Sequence, residues 1–154
     1  MFLYLIQHAE AMREEDDPSR SLTEKGIADI KKVAECAAKL DLKADLICHS
    51  GKMRAMQTAQ ILTDYLKFGK PLTYTDGLAP MDDVQIWINR LARMDEDVML
   101  VGHLPHLGSL SAALLCGDKD KNLIDFKMGC VVCLKRFEDG KWAVEWMITP
   151  EMIK

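Results

Sequence analysis

The sequence predicts a three-layer α/β/α sandwich with a mostly parallel central sheet and an antiparallel edge. Short apolar runs alternate with longer amphipathic stretches, as strands and helices do in this class. Runs such as Leu46-Ile47-Cys48 are almost continuously apolar, which indicates a sheet covered on both faces. Near the end of the chain, Asp139-Gly140 separates two apolar runs and predicts a hairpin, so that edge should be antiparallel.

Six strands are expected, each an apolar run bounded by polar or turn residues. They lie near residues 1–7, 45–49, 72–75, 97–102, 130–137 and 141–148.

Four helices are expected between these strands. Thr23 is the expected N-cap of the first, the third lies near 82–94, and Gly117 is the expected C-cap of the fourth. Helical spacing gives each an apolar face. These faces are Ile27, Ile30, Ala34 and Ala37; Ala55, Ala59, Leu62 and Leu66; Val84, Ile86, Trp87, Ile88 and Leu91; and Leu107, Leu110, Ser111 and Leu114.

Length and composition favour one domain over residues 1–154, long enough to bury a real core. A net charge of -4 without a long basic run argues against nucleic-acid binding as the main role. The apolar start Met1–Ile6 is too short for a signal peptide or a membrane span, so no membrane partner is expected. Five cysteines, an odd number, favour reduced thiols in a cytoplasmic protein.

Two features that often mark ligand sites are expected to be structural. Cys130 and Cys133 fall on a predicted strand, where residues three apart point to opposite faces and cannot share a metal. Most of the ten methionines, for example Met53, Met56, Met99 and Met147, fall on apolar positions and are expected to fill gaps in the core.

All four histidines follow predicted strands. His8 ends the first strand, His49 the second, and His103 and His106 come after the fourth. Ligands of open α/β sheets bind at the carboxyl ends of the strands, so parallel strands would bring these residues to one edge. This placement predicts a site.

The neighbours of these histidines make the predicted site cationic. Lys52 and Arg54 follow the second strand, and each strand–helix junction offers free N–H groups and the positive end of a helix dipole. Such a pocket suits a phosphate. A neutral imidazole, here His8, can attack phosphorus, while a bidentate arginine and His103 stabilise the charge on the oxygens.

Five segments, in matching order over nearly the whole chain, resemble the histidine phosphatase superfamily and its small SixA-like phosphohistidine phosphatases. Gln7-His8-Ala9 resembles the family's Arg-His-Gly motif, and Arg20 to Gly26 resembles its Arg-x-Leu-Thr-x-x-Gly motif. Ser50 to Thr58 resembles the Ser-x-x-x-Arg-Ala-x-Gln-Thr motif. Leu78-Ala79-Pro80 resembles the Leu-x-Pro motif, and His103-Leu104-Pro105 with Gly108 resembles the His-x-Pro motif.

The resemblance implies a phosphoglycerate mutase-like fold and a phosphatase whose nucleophile, His8, becomes phosphorylated. It implies that Arg54 and His103 hold the phosphoryl group. The expected phosphate- or substrate-binding residues are Gln7, Arg20, Ser50 and Lys52. The expected substrate is a phosphohistidine in a protein, or a small phosphorylated molecule. A short chain leaves little room for inserts that would enclose a small substrate, which favours a protein.

Gln7 is the main departure, because the family has its first phosphate arginine there. Losing one charge-assisted contact costs about 2–4 kcal/mol, roughly a hundred- to thousandfold in rate. The alternative is therefore a weak or inactive relative that binds phosphate or a phosphoprotein. Lys52 or Arg20 is hypothesised to supply the missing charge.

Two further alternatives concern an acid and a metal. Asp82 or Asp83 is the nearest candidate for a general acid, although either could equally be an ordinary helix N-terminal carboxylate. A metal hydrolase built on the histidines lacks carboxylates at ligand spacing, and Pro105 interrupts the His-x-x-His segment. No metal or other cofactor is expected.

Overall fold

The computed structural model describes residues 1–154 and contains a six-stranded sheet. The strands are β1 (Phe2–Gln7), β2 (Leu46–His49), β3 (Thr73–Tyr74), β4 (Val98–Gly102), β5 (Val131–Arg136) and β6 (Trp142–Ile148). The helices are α1 (Glu24–Lys39), α2 (Met53–Leu66), α3 (Gln85–Leu91) and α4 (His106–Cys116), followed by a short 3₁₀ turn, Pro150–Met152. All six predicted strands are present.

The sheet has the order β3-β2-β4-β1-β5-β6. β3, β2, β4 and β1 are parallel, whereas β5 runs antiparallel to β1 and β6 antiparallel to β5. The predicted mostly parallel sheet with an antiparallel edge is confirmed. In this register Gln7 pairs with Gly102 and His49 with Val101, so β1, β2 and β4 end side by side.

Helices cover both faces of the sheet. α1 and α2 bury their apolar sides against one face, where Tyr4 and Ile6 point, and α3 and α4 cover the other, where Leu3 and Leu5 point. This alternation is the two-residue period of a strand. The predicted three layers are confirmed.

Local sequence signals act as expected at two helix ends and at one hairpin turn. The Thr23 side chain accepts a hydrogen bond from the backbone N–H of Gly26 at 2.9 Å and caps α1. Gly117 ends α4 with a φ of 77°, in the left-handed region that glycine tolerates best. The β5–β6 hairpin turns through Asp139-Gly140, as predicted.

Two expectations need correction. The third helix covers 85–91 rather than 82–94, since the carboxylates of Asp82 and Asp83 accept backbone N–H groups and form turns before it. Met53 and Met56 are each 37% exposed and do not fill the core, because α2 turns Ala55, Thr58, Ala59 and Leu62 inward instead. Met99 is fully buried as predicted.

The cysteine pair is structural. Cys130 and Cys133 are buried in the two opposite apolar clusters, as their spacing on a strand predicts, and all five cysteines are free thiols. No helix combines the length and the apolar character that a membrane span requires.

Candidate active site

His8 directly follows β1 and is only 8% exposed. Its Nδ1 lies 2.7 Å from the carbonyl oxygen of Ala9. A carbonyl can only accept, so Nδ1 carries the proton of the neutral ring and Nε2 keeps its lone pair. Burial lowers the pKa of His8 to about 4; the Ala9 carbonyl opposes this shift, whereas Arg54 and Arg20 reinforce it. His8 is therefore a neutral imidazole at pH 7 with a free Nε2.

His103 follows β4 and lies beside His8, with 5.1 Å between the ring centroids. Its Nε2 is 2.6 Å from the Ser50 hydroxyl, and its Nδ1 is buried without a hydrogen-bond partner. Burial lowers its pKa to about 3, and the charges of Arg54 and Lys52 act in the same direction. The ends of β1, β2 and β4 thus bring His8, Ser50 and His103 together.

Three cations surround these histidines without a carboxylate partner. Arg54, in the first turn of α2, has a buried Nε with no acceptor, and burial together with Arg20 lowers its pKa. The charge of Arg20 lowers the pKa of both His8 and Arg54, and the charge of Lys52 lowers the pKa of His103. None of the three forms a salt bridge. Cations that lack a carboxylate partner and lie beside a helix N-terminus form an arrangement that suits an anion.

The loop before α1 holds Arg20 in place. Arg20 has a positive φ of 50°, and its Nε donates to the Met12 carbonyl at 3.0 Å. A β-bridge between Ala11 and Leu22 closes the loop, and the Gln57 side chain accepts the N–H of Leu22 at 2.8 Å. The loop therefore fixes the arginine near the end of β1.

Thr58 is a supporting residue for which no role was predicted. Its fully buried hydroxyl accepts the N–H of Ala9 at 3.0 Å and donates to the Arg54 carbonyl at 2.7 Å. It therefore connects the backbone after His8 to the first turn of α2. The signal was present in the sequence, because Gln57-Thr58 ends the segment that begins at Ser50.

Gln7 ends β1, and its Oε1 is buried without a hydrogen-bond partner. Its backbone carbonyl accepts the N–H of Gly129 at 3.0 Å. Ala9, which replaces the family's glycine, has no positive φ, so its side chain causes no backbone strain.

The two remaining histidines lie outside this group. His49 Nδ1 accepts the N–H of Gly51 at 3.1 Å and stabilises the loop after β2. His106 lines a separate cavity with Asp82 and Asp83, and neither carboxylate forms a hydrogen bond with His8 or His103. No three His, Cys, Asp or Glu side chains are grouped so that they could hold a metal ion.

A neutral histidine and cations without salt-bridge partners lie at the carboxyl edge of a mostly parallel sheet in a three-layer α/β/α protein, an arrangement that suits a phosphate. Residues 3–86 match the model of the histidine phosphatase superfamily, branch 1. A protein of unknown role from Picosynechococcus sp. is 34% identical in an alignment 138 residues long that covers 85% of this chain and 83% of that protein. The chain belongs to the histidine phosphatase superfamily.

Solved structures confirm the phosphoglycerate mutase-like fold and a SixA-like form. The protein histidine phosphatase SixA in complex with tungstate superposes with a TM-score of 0.88 at 23% identity over 100% of both chains. A protein of Agrobacterium tumefaciens assigned as phosphohistidine phosphatase SixA gives a TM-score of 0.80 at 25% identity over 97% of both chains. An Escherichia coli protein assigned as an alpha-ribazole-5'-P phosphatase gives 0.78 at 16% identity, over 97% of this chain and 98% of that one. The family supports phosphatase activity, while these neighbours differ in substrate.

Proposed function

We propose that this protein is a phosphatase that works through a phosphohistidine intermediate on His8. One observation carries the proposal. The Nε of Arg54 is buried without a hydrogen-bond partner, and the charge of this arginine acts on the neutral His8 by lowering its pKa. A buried donor without an acceptor requires a partner, and a tetrahedral oxyanion supplies one. We assign residues 1–154 to a single catalytic domain.

The first chemical step is attack of His8 Nε2 on the phosphorus atom, in line with the leaving group. The N–P bond forms as the bond to the leaving group breaks, and its electron pair departs with that group. Arg54 and His103 donate to the phosphoryl oxygens. The Ala9 carbonyl, which already accepts Nδ1–H at 2.7 Å, stabilises the positive charge that develops on the ring.

In the second step, water attacks the phosphorus atom of phospho-His8. The N–P bond breaks, its electron pair returns to Nε2, and inorganic phosphate leaves. The proton of the water is carried away by the phosphate or by solvent. The strongly lowered pKa of His8 helps here, since the released ring stays neutral and ready to attack again.

Arg20 supplies the positive charge that Gln7 lacks, and Lys52 assists on the His103 side. The support is electrostatic, because the charge of Arg20 acts on both His8 and Arg54. The backbone contact of its Nε with Met12 leaves the other guanidinium nitrogens free for phosphate. Gln7 and Ser50 complete the binding set with neutral hydrogen bonds.

The favoured substrate is a phosphohistidine on a protein partner in the cytoplasm. Four exposed apolar side chains form a set that we call the apolar rim: Met53, Met81, Leu104 and Met128, which are 37–84% exposed. Met53 and Leu104 adjoin site residues in the sequence, and Met128 precedes Gly129, whose N–H donates to the Gln7 carbonyl. Flexible methionine surfaces adapt to protein partners. A leaving imidazole is easily protonated near neutral pH, so it does not require a carboxylic acid.

A second candidate is a relative that binds phosphate or a phosphoprotein without turnover. Gln7 favours it, because a neutral amide replaces the guanidinium that the family places there.

A substrate panel with matched variants tests the proposal. We expect wild type to hydrolyse phosphohistidine peptides faster than phosphoserine or phosphotyrosine peptides of the same sequence, and Arg93→Ala, which changes an exposed arginine, to match it. Turnover of none of these peptides would favour the binding candidate. Faster turnover of the esters would retain the phosphatase and remove phosphohistidine as its preferred substrate.

A further inference from the structure

A cavity lies beside the proposed phosphate site, at the same end of β4. It has a volume of about 360 Å³ and lies between the loop before α3 and the start of α4. Its polar lining comprises Asp82, Asp83, His106, Ser109, Lys119 and Asp120. Three carboxylates against one ammonium give it the opposite charge from the Arg54 side.

His106 is the unusual member of this lining. It is only 1% exposed, and neither ring nitrogen makes a well-formed hydrogen bond, although the Gly77 carbonyl lies close enough to favour the protonated ring. Burial is the largest influence and lowers the pKa of His106. A neutral imidazole has one acceptor nitrogen, and buried polar groups in proteins normally have partners. The excess of acceptors over donors comes from the three carboxylates of the lining, and His106 adds a buried ring without a well-formed hydrogen bond.

We infer that this cavity binds an ammonium or guanidinium group of the phosphorylated substrate. The inference rests on the proposed phosphatase function, because the phosphoryl group would occupy the neighbouring cationic site. His103 and His106 lie at the two ends of the short connection from β4 to α4, so a substrate with separated charges can span both sites. Carboxylates and an unpaired acceptor at one cavity suit a group that carries several N–H donors.

Non-hydrolysable ligand pairs test the inference without turnover. The probes are aminoalkylphosphonates of increasing chain length, each compared with the alkylphosphonate of equal length by isothermal titration calorimetry. At the best length, the ammonium should tighten binding about tenfold, the size of one charge-assisted hydrogen bond. Asp82→Asn with Asp83→Asn should remove this preference. Both asparagines can still accept the N–H groups of Ala79 and Gln85.

The matched control is Asp118→Asn, which changes a carboxylate of the next loop that does not line the cavity and should keep the preference. Peptides that carry a non-hydrolysable phosphonate analogue of phosphohistidine, with and without one lysine replaced by norleucine, repeat the comparison for a protein-borne cation. If only the phosphonates bind more tightly with an ammonium, the cation belongs to a small molecule. If the peptides bind more tightly with the lysine, the cation belongs to a protein. Either result supports the inference.

Three results would overturn the inference. Equal binding of the paired ligands at every length, with no effect of the lysine, leaves the phosphatase proposal intact and removes the cation subsite. If Asp82→Asn with Asp83→Asn weakens binding of the aminoalkylphosphonate and of the alkylphosphonate equally, the carboxylates have a general structural role. Absence of binding by every phosphonate and peptide removes the phosphate site and the inference with it.

Discussion

His103 and His106 follow the same strand and are buried to the same degree, but they face opposite electrostatic environments. The neighbours of His103 are Arg54 and Lys52, whose charges reinforce the effect of burial and lower its pKa to about 3. The neighbours of His106 are Asp82 and Asp83, which oppose the effect of burial on its pKa. One strand end thus has a cationic environment on one side and an acidic environment on the other. The loops packed against each imidazole ring decide which of the two environments it has.

The cationic side depends most on its nucleophile. His8→Asn should lower kcat by about 10⁴-fold or more, because no other residue can form the covalent intermediate. The asparagine amide can still donate to the Ala9 carbonyl, so the fold should be retained. Phosphate release from a phosphohistidine peptide measures the loss. A variant with a tenth of the wild-type kcat or more would contradict the role of His8.

Arg54→Ala should have the next largest effect. We expect a loss of about 10²–10³-fold in kcat, the usual effect of removing one donor to a developing oxyanion. Arg93→Ala, the exposed control, should stay within twofold of wild type, about the noise of such assays. Equal effects of the two substitutions would show that Arg54 does not contact the phosphoryl group.

A double-mutant cycle tests whether Arg20 replaces the charge missing at Gln7. In wild type, Arg20→Ala should lower kcat/KM by about tenfold; in Gln7→Arg it should have a smaller effect, because the new guanidinium takes over. Lys52→Ala, made in both backgrounds, tests the other cation. Equal losses in the two backgrounds would mean that neither cation compensates for Gln7.

The smallest effect concerns pH. An ordinary histidine would become protonated near 6.5, whereas burial keeps His8 neutral until the pH approaches 4, so kcat/KM should fall only near pH 4. Arg20→Ala removes a charge that opposes protonation, so it should move this fall to slightly higher pH. The lowered pKa of His8 also makes the folded protein less stable in acid. The contribution of the neutral His8 to the free energy of unfolding is present above pH 6.5 and is lost as the pH falls towards 4. Circular dichroism at each pH separates unfolding from titration.

Much of the fold could be predicted because its signals are local. Apolar runs marked every strand except the short, exposed β3, and Thr23 and Gly117 marked helix ends through side-chain capping and a positive φ. The spacing within α2 also pointed to its inward face. It did not reveal that Met53 and Met56 would remain partly exposed, since exposure near a helix start depends on what packs beside it.

The site was predictable to a similar depth. Strand ends and motif order brought His8, Ser50 and His103 together correctly. The position of Arg20 depended on how the loop before α1 folds, through the Ala11–Leu22 bridge, which leaves no periodic pattern in the sequence. The cavity around His106 was not foreseen, because its carboxylates come from two loops that are distant in sequence.

The most direct test of the central claim is to trap the covalent intermediate. Wild-type protein is mixed with phosphoramidate, quenched in base within milliseconds, and mapped by mass spectrometry under conditions that preserve phosphohistidine. We expect one phosphoryl group on His8, which is lost on longer incubation and is absent in His8→Asn. Phosphate release without any labelled histidine, or a label on His103 or His106 instead, would contradict the role of His8 as nucleophile.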